Sequence, residues 1–526
     1  MSPSIKQSGD AEHAIVSKDS GFRKLDAMPR PTLAVASGLL LTLAFPHADI
    51  GSFAFIAFIP FLRTFPYAKT RTAFANGFLF GFTYFGCLLY WIAVFSATKI
   101  GAFGVGAWFI LSARESLWIG LFAAGLNFIW RKTGWLGRAV AAASLWTFCE
   151  WARQLGPLGF GWGDIAYSQW KFLPLIQIAS VTGIWGVSWL LVMVNVAFAS
   201  AQKRPVIAAF SVVLTVLVYG SVRMAIDLPT HSLTSAAALQ TNFSEDVPYT
   251  GLRPSNNAYF YGVLNTFDAM ADQAAAKSGS TICVTAETSV PGYPQLDPPL
   301  KSMLLGIASR NHVTLIAGAR DYDFHSDEDT NSVFVFHPDG TVSGPYNKQQ
   351  LVPFGEYVPF RANFPFLNAF HVLDFEMQPG APGQAPLNAG GNYKVGIAVC
   401  YESTYPRFLR EQVARGATFD VVVTDDTWYG RTAAAKQHFA MSVLRAVETD
   451  RYLVRCASTG ISGVIAPSGK VLASAALFKT AVVTAPIEQR FDKTPFVLYG
   501  DWFPLLCIAG FFGPFLFHKV GKNAVE

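Results

Sequence analysis

Hydrophobic positions along this chain follow two regimes. From residue 31 to 226 they run almost without a break, in apolar spans at about 32–46, 52–66, 72–95, 103–130, 137–155, 173–201 and 204–226. An eighth span lies at about 496–517. Crossing a bilayer takes about 20 helical residues, so this pattern predicts an α-helical transmembrane bundle of about eight spans. The first two spans are short and flanked by Pro46 and Pro60. They predict either two tilted crossings or one re-entrant hairpin, and both return the chain to the same side.

Between 227 and 495 the period shortens. Strands are predicted at 236–241, 281–287, 313–319, 332–337, 395–399, 421–424, 452–457, 463–466 and 481–487, and helices at 257–278, 299–311, 406–415 and 434–449. Strands alternating with amphipathic helices imply α/β layers. The domains expected are therefore a polar tail at 1–30, the bundle at 31–226, an α/β domain at 227–495, and a last span with a short tail at 496–526.

Composition sharpens this division. The chain is 52% hydrophobic and 14% charged, against about 25% charged in soluble proteins. Lys and Arg gather in the N-terminal tail, at Arg63, Lys69 and Arg71, at Arg131, Lys132 and Arg138, at Lys203 and Arg204, and at Lys519 and Lys522. The alternate loops hold Lys99, Arg153 and Lys171. This asymmetry puts both termini in the cytoplasm and residues 227–495 on the opposite face, the periplasm of a Gram-negative bacterium. Arg114 and Glu115 fall inside the fourth span and should face the bundle interior. The net charge of +5 shows no basic cluster suited to nucleic acid. Six scattered cysteines form no CxxC pair, which argues against a metal centre or a disulfide framework.

Three stretches carry candidate chemistry. Gly396-Ile397-Ala398-Val399 leads into Cys400-Tyr401-Glu402, a buried strand ending in a thiol. Thr281 to Val284 leads to Thr285-Ala286-Glu287, a second strand end carrying a carboxylate. Lys348 opens Lys-Gln-Gln-Leu-Val-Pro-Phe-Gly-Glu-Tyr-Val-Pro-Phe, a loop rich in Pro, Gly and aromatics that holds Glu356 and Tyr357. A carboxylate can take the thiol proton, and an ammonium can stabilise the thiolate and then an oxyanion. Large apolar residues follow from 359 to 375, Phe364 and Phe366 among them. They are expected to form a membrane-facing lid. Gly159-Phe160-Gly161-Trp162 follows the fifth span, as an aromatic belt or a wall of the lipid entrance.

These motifs resemble the Glu-Lys-Cys triad of the nitrilase (carbon–nitrogen hydrolase) superfamily. With the membrane-embedded N-terminal half, they resemble in particular the bacterial apolipoprotein N-acyltransferases. The resemblance implies an αββα sandwich for 227–495, with Cys400 as nucleophile, Glu287 as general base and Lys348 as oxyanion stabiliser. Glu356, Tyr401 and Glu402 would support them, and Trp162, Tyr357, Phe364, Phe366 and Trp428 would contact substrate. The implied reaction moves a fatty acyl chain from a phospholipid to the N-terminal amine of an S-diacylglyceryl-cysteine apolipoprotein. It is ping-pong through a Cys400 thioester, the last step of lipoprotein maturation, carried out by a membrane-bound monomer without metal or organic cofactor. Thr285-Ala286 stands where the family often has Trp-Pro, Asp425 where it has Asn, and Gly161 where it has Pro. Gln437-His438 matches the family, with His438 expected to be structural. A membrane-anchored amidase or nitrilase, with water as acceptor, is the alternative reading. A transporter with an accessory domain is a third, for which the spans lack a charged pathway.

Overall fold

The computed structural model describes residues 23–65, 69–94, 102–130, 132–227, 233–243, 249–250, 252–324, 328–361, 363–364 and 376–523. The N-terminal half contains helices α1 (Arg30–Leu43), α2 (Thr70–Leu88), α3 (Ala102–Trp130), α4 (Trp135–Ala152), α5 (Ile184–Ala199) and α6 (Lys203–Ile226). Among the described residues, two helices are long and apolar enough to cross a membrane, Gly104–Trp130 and Lys203–Ile226.

The eight expected spans are not eight regular helices. The stretch at 52–66 is a 3-10 turn, Gly51–Phe55, and a single helical turn, Ile59–Leu62. The stretch at 173–201 breaks into Leu173–Ile176, Ala179–Thr182 and α5. Hydropathy sees apolar side chains and not the backbone breaks, which side chains repair internally. The Phe61 N–H donates to Ser37 Oγ at 3.0 Å, the Phe58 N–H to Asn195 Oδ1 at 2.9 Å, and Asn195 Nδ2 to the Ala54 carbonyl at 2.8 Å. Irregular backbone is tolerated where buried partners satisfy it. At the break before α5, Gly183 has φ 67°. There the Ile184 N–H donates to Glu448 Oε1 at 2.8 Å, a carboxylate placed at a helix N-terminus.

The second half is a two-sheet sandwich. Its strands are β1 (Thr234–Gln240), β2 (Ser280–Val284), β3 (Thr314–Asp323), β4 (Glu328–Phe336), β5 (Val342–Asn347), β6 (Leu387–Asn388), β7 (Lys394–Val399), β8 (Phe419–Thr424), β9 (Leu453–Ala457), β10 (Gly463–Ile465), β11 (Val471–Ser474) and β12 (Ala481–Ile487). One sheet runs β12-β1-β2-β3-β4-β5 and the other β11-β10-β9-β8-β7-β6. Strands β1 to β3 are mutually parallel, as are β7 to β9. Antiparallel strands flank both trios. Strands β5, β6 and β11 were not expected from the sequence. They are short or weakly apolar, and pairing with a neighbour forms them.

Side-chain alternation builds the layers. Val395, Ile397 and Val399 of β7 face Ile282, Val284 and Ile316 of the other sheet, while Ala398 turns the opposite way. Helices α7 (Asn257–Ser278) and α8 (Pro298–Arg310) cover the first sheet through Phe260, Phe267, Leu300 and Leu304. Helices α9 (Arg407–Ala414) and α10 (Ala434–Thr449) cover the second. The order is αββα. The last layer is shared: Phe439, Val443, Leu444 and Val447 of α10 lie in one core with Ile184, Trp185 and Leu191 of the bundle. Helix α11 (Trp502–Asn523) returns to pack on α4.

Candidate active site

Strand β7 ends at Val399, and Cys400 follows with φ 50°, a strained value for a residue with a side chain. A 3-10 turn, Cys400–Thr404, carries the chain away. The sharp turn sets the thiol at the strand end, where it is 7% exposed. The turn is held from behind. The Cys400 carbonyl accepts Ser403 Oγ at 2.7 Å and lies 3.2 Å from His438 Nε2. His438 Nδ1 is 3.1 Å from Asp426 Oδ1, and Arg455 donates to Asp426 Oδ2 at 2.9 Å. Burial and the Arg455 charge hold His438 below its ordinary value. Despite burial, Arg455 and His438 keep Asp426 at about 2. The neutral imidazole is thus a fixed prop, the structural part expected for it.

Glu287 lies three residues past β2. Its turn is fastened to β3: the Thr285 N–H donates to the Ile316 carbonyl at 2.9 Å, and the Val290 N–H to the Gly318 carbonyl at 3.0 Å. Gly318 allows the approach, since a Cβ there would meet the Ala286 carbonyl at 2.3 Å. Lys348 follows β5 and is 1% exposed. Its ammonium donates to Glu287 Oε1 at 3.0 Å and to Glu356 Oε1 at 2.7 Å. Burial works against that charge, but the two carboxylates more than offset it, and Lys348 stays well above its ordinary value.

Asn331, at the head of the apolar run of β4, was not foreseen. Its Nδ2 donates to Glu287 Oε1 at 2.8 Å and to Glu356 Oε1 at 3.3 Å. Asn331 is one of five consecutive polar residues, 328–332, ahead of the apolar run 333–336, and nothing in the sequence singles it out. Asp425 contributes its backbone: its N–H donates to Glu287 Oε2 at 2.8 Å. Its side chain turns to the Thr427 N–H and Oγ1, at 3.0 and 2.5 Å. The exchange of Asn for Asp here therefore leaves that contact to Glu287 in place.

Glu402 ties the pieces together. Its carboxylate accepts the Val399 N–H at 2.8 Å, the Gln349 N–H at 2.6 Å, the Gln350 N–H at 3.2 Å and the Tyr346 hydroxyl at 3.0 Å. Glu356 does the same inside the lysine loop, accepting the Val352 N–H at 2.7 Å. The thiol itself is pushed well above its ordinary value, by burial first and by Glu287 second, with Lys348 pulling the other way. A thiol so placed would need a base to act as a nucleophile. Cys283 and Cys456, the other cysteines of the sandwich, are pushed by burial to about 12 and belong to the core.

The expected substrate contacts divide. Trp162 is 1% exposed. It packs beneath the site, 5.4 Å from the His438 ring, and its Nε1 donates to Gln437 Oε1 at 2.8 Å. Gly161 is needed beside it, since a Cβ would meet the Thr404 carbonyl at 2.8 Å. The Tyr401 hydroxyl donates to the Gly159 carbonyl at 3.0 Å, so its ring lies against the bundle loop. The Tyr357 hydroxyl donates to the Pro157 carbonyl at 3.0 Å. Trp428 and Phe364 are each 50% exposed at the surface. Phe366 and the rest of the aromatic run from 365 to 375 lie outside the described residues.

Two family models match this chain. Residues 37–197 match the family model described as Apolipoprotein N-acyltransferase N-terminal domain, and residues 236–495 the one described as Carbon-nitrogen hydrolase. An apolipoprotein N-acyltransferase of Geobacter metallireducens is 31% identical over 507 residues, covering 92% of this chain and 95% of that one. One from Gloeobacter violaceus is 30% identical over 493 residues, covering 90% and 91%. Among solved structures, a carbon-nitrogen hydrolase from Helicobacter pylori G27 is 19% identical, with a TM-score of 0.38, covering 52% of this chain and 94% of that one. An amidase from Nesterenkonia sp. is 20% identical, with a TM-score of 0.36, covering 50% and 94%.

Proposed function

The chain belongs to the apolipoprotein N-acyltransferase family, and from that premise we propose that Cys400, Glu287 and Lys348 carry its acyl transfer. The enzyme is an acyltransferase of lipoprotein maturation, acting in a membrane context. The observation that carries the site assignment is Lys348 bonded to both Glu287 and Glu356 beside the strained Cys400 turn.

In the first half-reaction Glu287 takes the thiol proton as sulfur attacks the ester carbonyl of a phospholipid. Lys348 and the Tyr401 N–H stabilise the tetrahedral oxyanion. Collapse breaks the ester bond, and Glu287 returns the proton to the departing lysophospholipid hydroxyl. Cys400 is left as a thioester. In the second half-reaction the N-terminal amine of the diacylglyceryl apolipoprotein attacks that thioester. Glu287 accepts the amine proton and passes it to the leaving sulfur. Two bulky substrates thus use one site in turn, and apolar surroundings limit loss of the acyl group to water.

Residues 31–226 form the membrane-embedded part of the enzyme, 227–495 its periplasmic catalytic domain, and 496–517 a last membrane segment. The positive-inside pattern supports this orientation, and the outward apolar face of α6, with Ile207, Phe210, Leu214 and Val218 exposed, supports lipid contact. The enzyme works as a monomer, with both substrates arriving laterally from the bilayer.

Mass spectrometry of the purified protein exposed to phospholipid alone tests the assignment. One acyl mass should appear on the peptide carrying Cys400, sensitive to hydroxylamine and absent in Cys400→Ala. Cys283→Ala and Cys456→Ala should still acylate. An adduct that persists in Cys400→Ala, or that arises only with the lipoprotein present, overturns the ping-pong scheme. Release of free fatty acid instead of transfer to the amine would favour the hydrolytic reading.

A further inference from the structure

We propose that Arg153, buried within the bundle, is a positioning residue for the nucleophile. It holds the loop 159–163, and that loop holds the turn on which Cys400 sits. The inference rests on Cys400 being the nucleophile.

The chain of contacts is continuous. The guanidinium of Arg153 donates to the Phe160 carbonyl at 3.0 Å and to the Trp162 carbonyl at 2.8 Å. It is itself gripped by Glu115 Oε2 at 3.1 Å and Asp164 Oδ1 at 2.5 Å. Gln154 Nε2 fixes the other oxygen of Asp164 at 2.7 Å. All three charged groups are buried. A planar guanidinium can hold two carbonyls and two carboxylates in one fixed arrangement, which an ammonium on a flexible stem does not reproduce.

The far side of the loop faces the catalytic turn. The Gly159 carbonyl accepts the Tyr401 hydroxyl at 3.0 Å and the Tyr405 hydroxyl at 2.5 Å. Gly161 lies against the Thr404 carbonyl, which also accepts the Tyr167 hydroxyl at 3.1 Å. Trp162 reaches Gln437 and the His438 ring, and His438 faces the carbonyl of Cys400 itself. Tyr401 and Thr404 belong to the same five-residue turn as the thiol. The backbone strain at Cys400 must be held by its surroundings, and much of what surrounds it comes from the bundle. The membrane half therefore shapes the nucleophile as well as admitting lipid.

A double-mutant cycle on the full chain in detergent tests this, using Arg153→Gln and Tyr405→Phe. The readouts are the first-order rate of acyl-adduct formation at saturating phospholipid, per folded molecule, and the KM for that lipid. Arg153→Gln should slow adduct formation on the order of 10²-fold, the effect of a misplacement near 1 Å, with KM little changed. Tyr405→Phe should slow it less. The double variant should be no slower than Arg153→Gln alone, because both changes act through one loop. Arg153→Lys should recover only part of the rate. If Arg153→Gln does not accumulate, Asp164→Asn, which keeps the side-chain shape, takes its place in the cycle. Additive effects, or a wild-type adduct rate in folded Arg153→Gln or Asp164→Asn, overturn the inference. A wild type that carries no adduct on Cys400 would instead remove the site assignment beneath it.

Discussion

The carboxylate of Glu402 accepts the backbone N–H of Gln349 at 2.6 Å, and so ties the lysine loop to the turn that carries Cys400. The same side chain accepts the Val399 N–H at the end of β7. Burial lifts Glu402 from 4.5 to about 7, against the pull of those N–H groups. A carboxyl raised in the fold binds its proton more tightly there than in the unfolded chain. Its contribution is full below about pH 4.5 and is lost as pH rises through about 7. Glu402→Gln lacks this titration. Wild type should therefore lose stability relative to Glu402→Gln between about pH 4.5 and 7, by about 3 kcal/mol at most, at about 1.4 kcal/mol per pKa unit. Denaturant titrations across that range check it, and a gap that widens in favour of wild type as pH rises would contradict it.

Lys348 is bonded to two carboxylates, the buried Glu287 and the half-buried Glu356. Lys348→Met should cost about 3–5 kcal/mol of stability, because it leaves charge buried without its partner. Adding Glu356→Gln should recover much of that stability and none of the acyl transfer. Recovered transfer would mean that Lys348 acts through folding alone.

Asn331 orients both carboxylates with one amide group. Asn331→Ala removes a hydrogen bond to a charged group, worth about 1.5–3 kcal/mol. Adduct formation should slow roughly tenfold to a hundredfold by that energy. Asn331→Asp should be worse, since it sets a like charge beside Glu287. Equal rates in the two variants would argue against this account.

Orientation is tested with Asp339→Cys and Lys522→Cys and a membrane-impermeant maleimide on intact spheroplasts, against the unmodified chain. Position 339 should label and position 522 should label only after permeabilisation. Labelling of both from one side would reject the topology.

Phe354 and Phe360 in the lysine loop, and Phe364 just past it, are large apolar side chains left exposed. Phe364→Ser should slow turnover on phospholipid in bilayers more than it lowers the melting temperature. Unchanged turnover per folded molecule with a large drop in melting temperature would make Phe364 a packing residue.

The sequence by itself determined the strand ends. Three apolar residues before Cys400, an apolar run before Glu287, and a Pro- and Gly-rich loop after Lys348 each place one group at an edge, because a strand buried on both faces must become polar where it leaves the core. Helix 434–449 was legible to the residue, since its pattern is long and strongly periodic. What the tertiary structure decided is what meets what. Asn331, the backbone of Asp425 and three of the four contacts of Glu402 reach their partners across 25 to 138 residues of chain, so no local pattern announces them. Trp162 is aromatic and near an expected membrane edge, and only its tertiary contacts show that it packs against His438 and Gln437, beneath the Cys400 turn. The breaks at 52–66 and at Gly183 were hidden for the same reason. Apolarity records what a side chain avoids, and the groups that satisfy a broken backbone come from elsewhere in the chain.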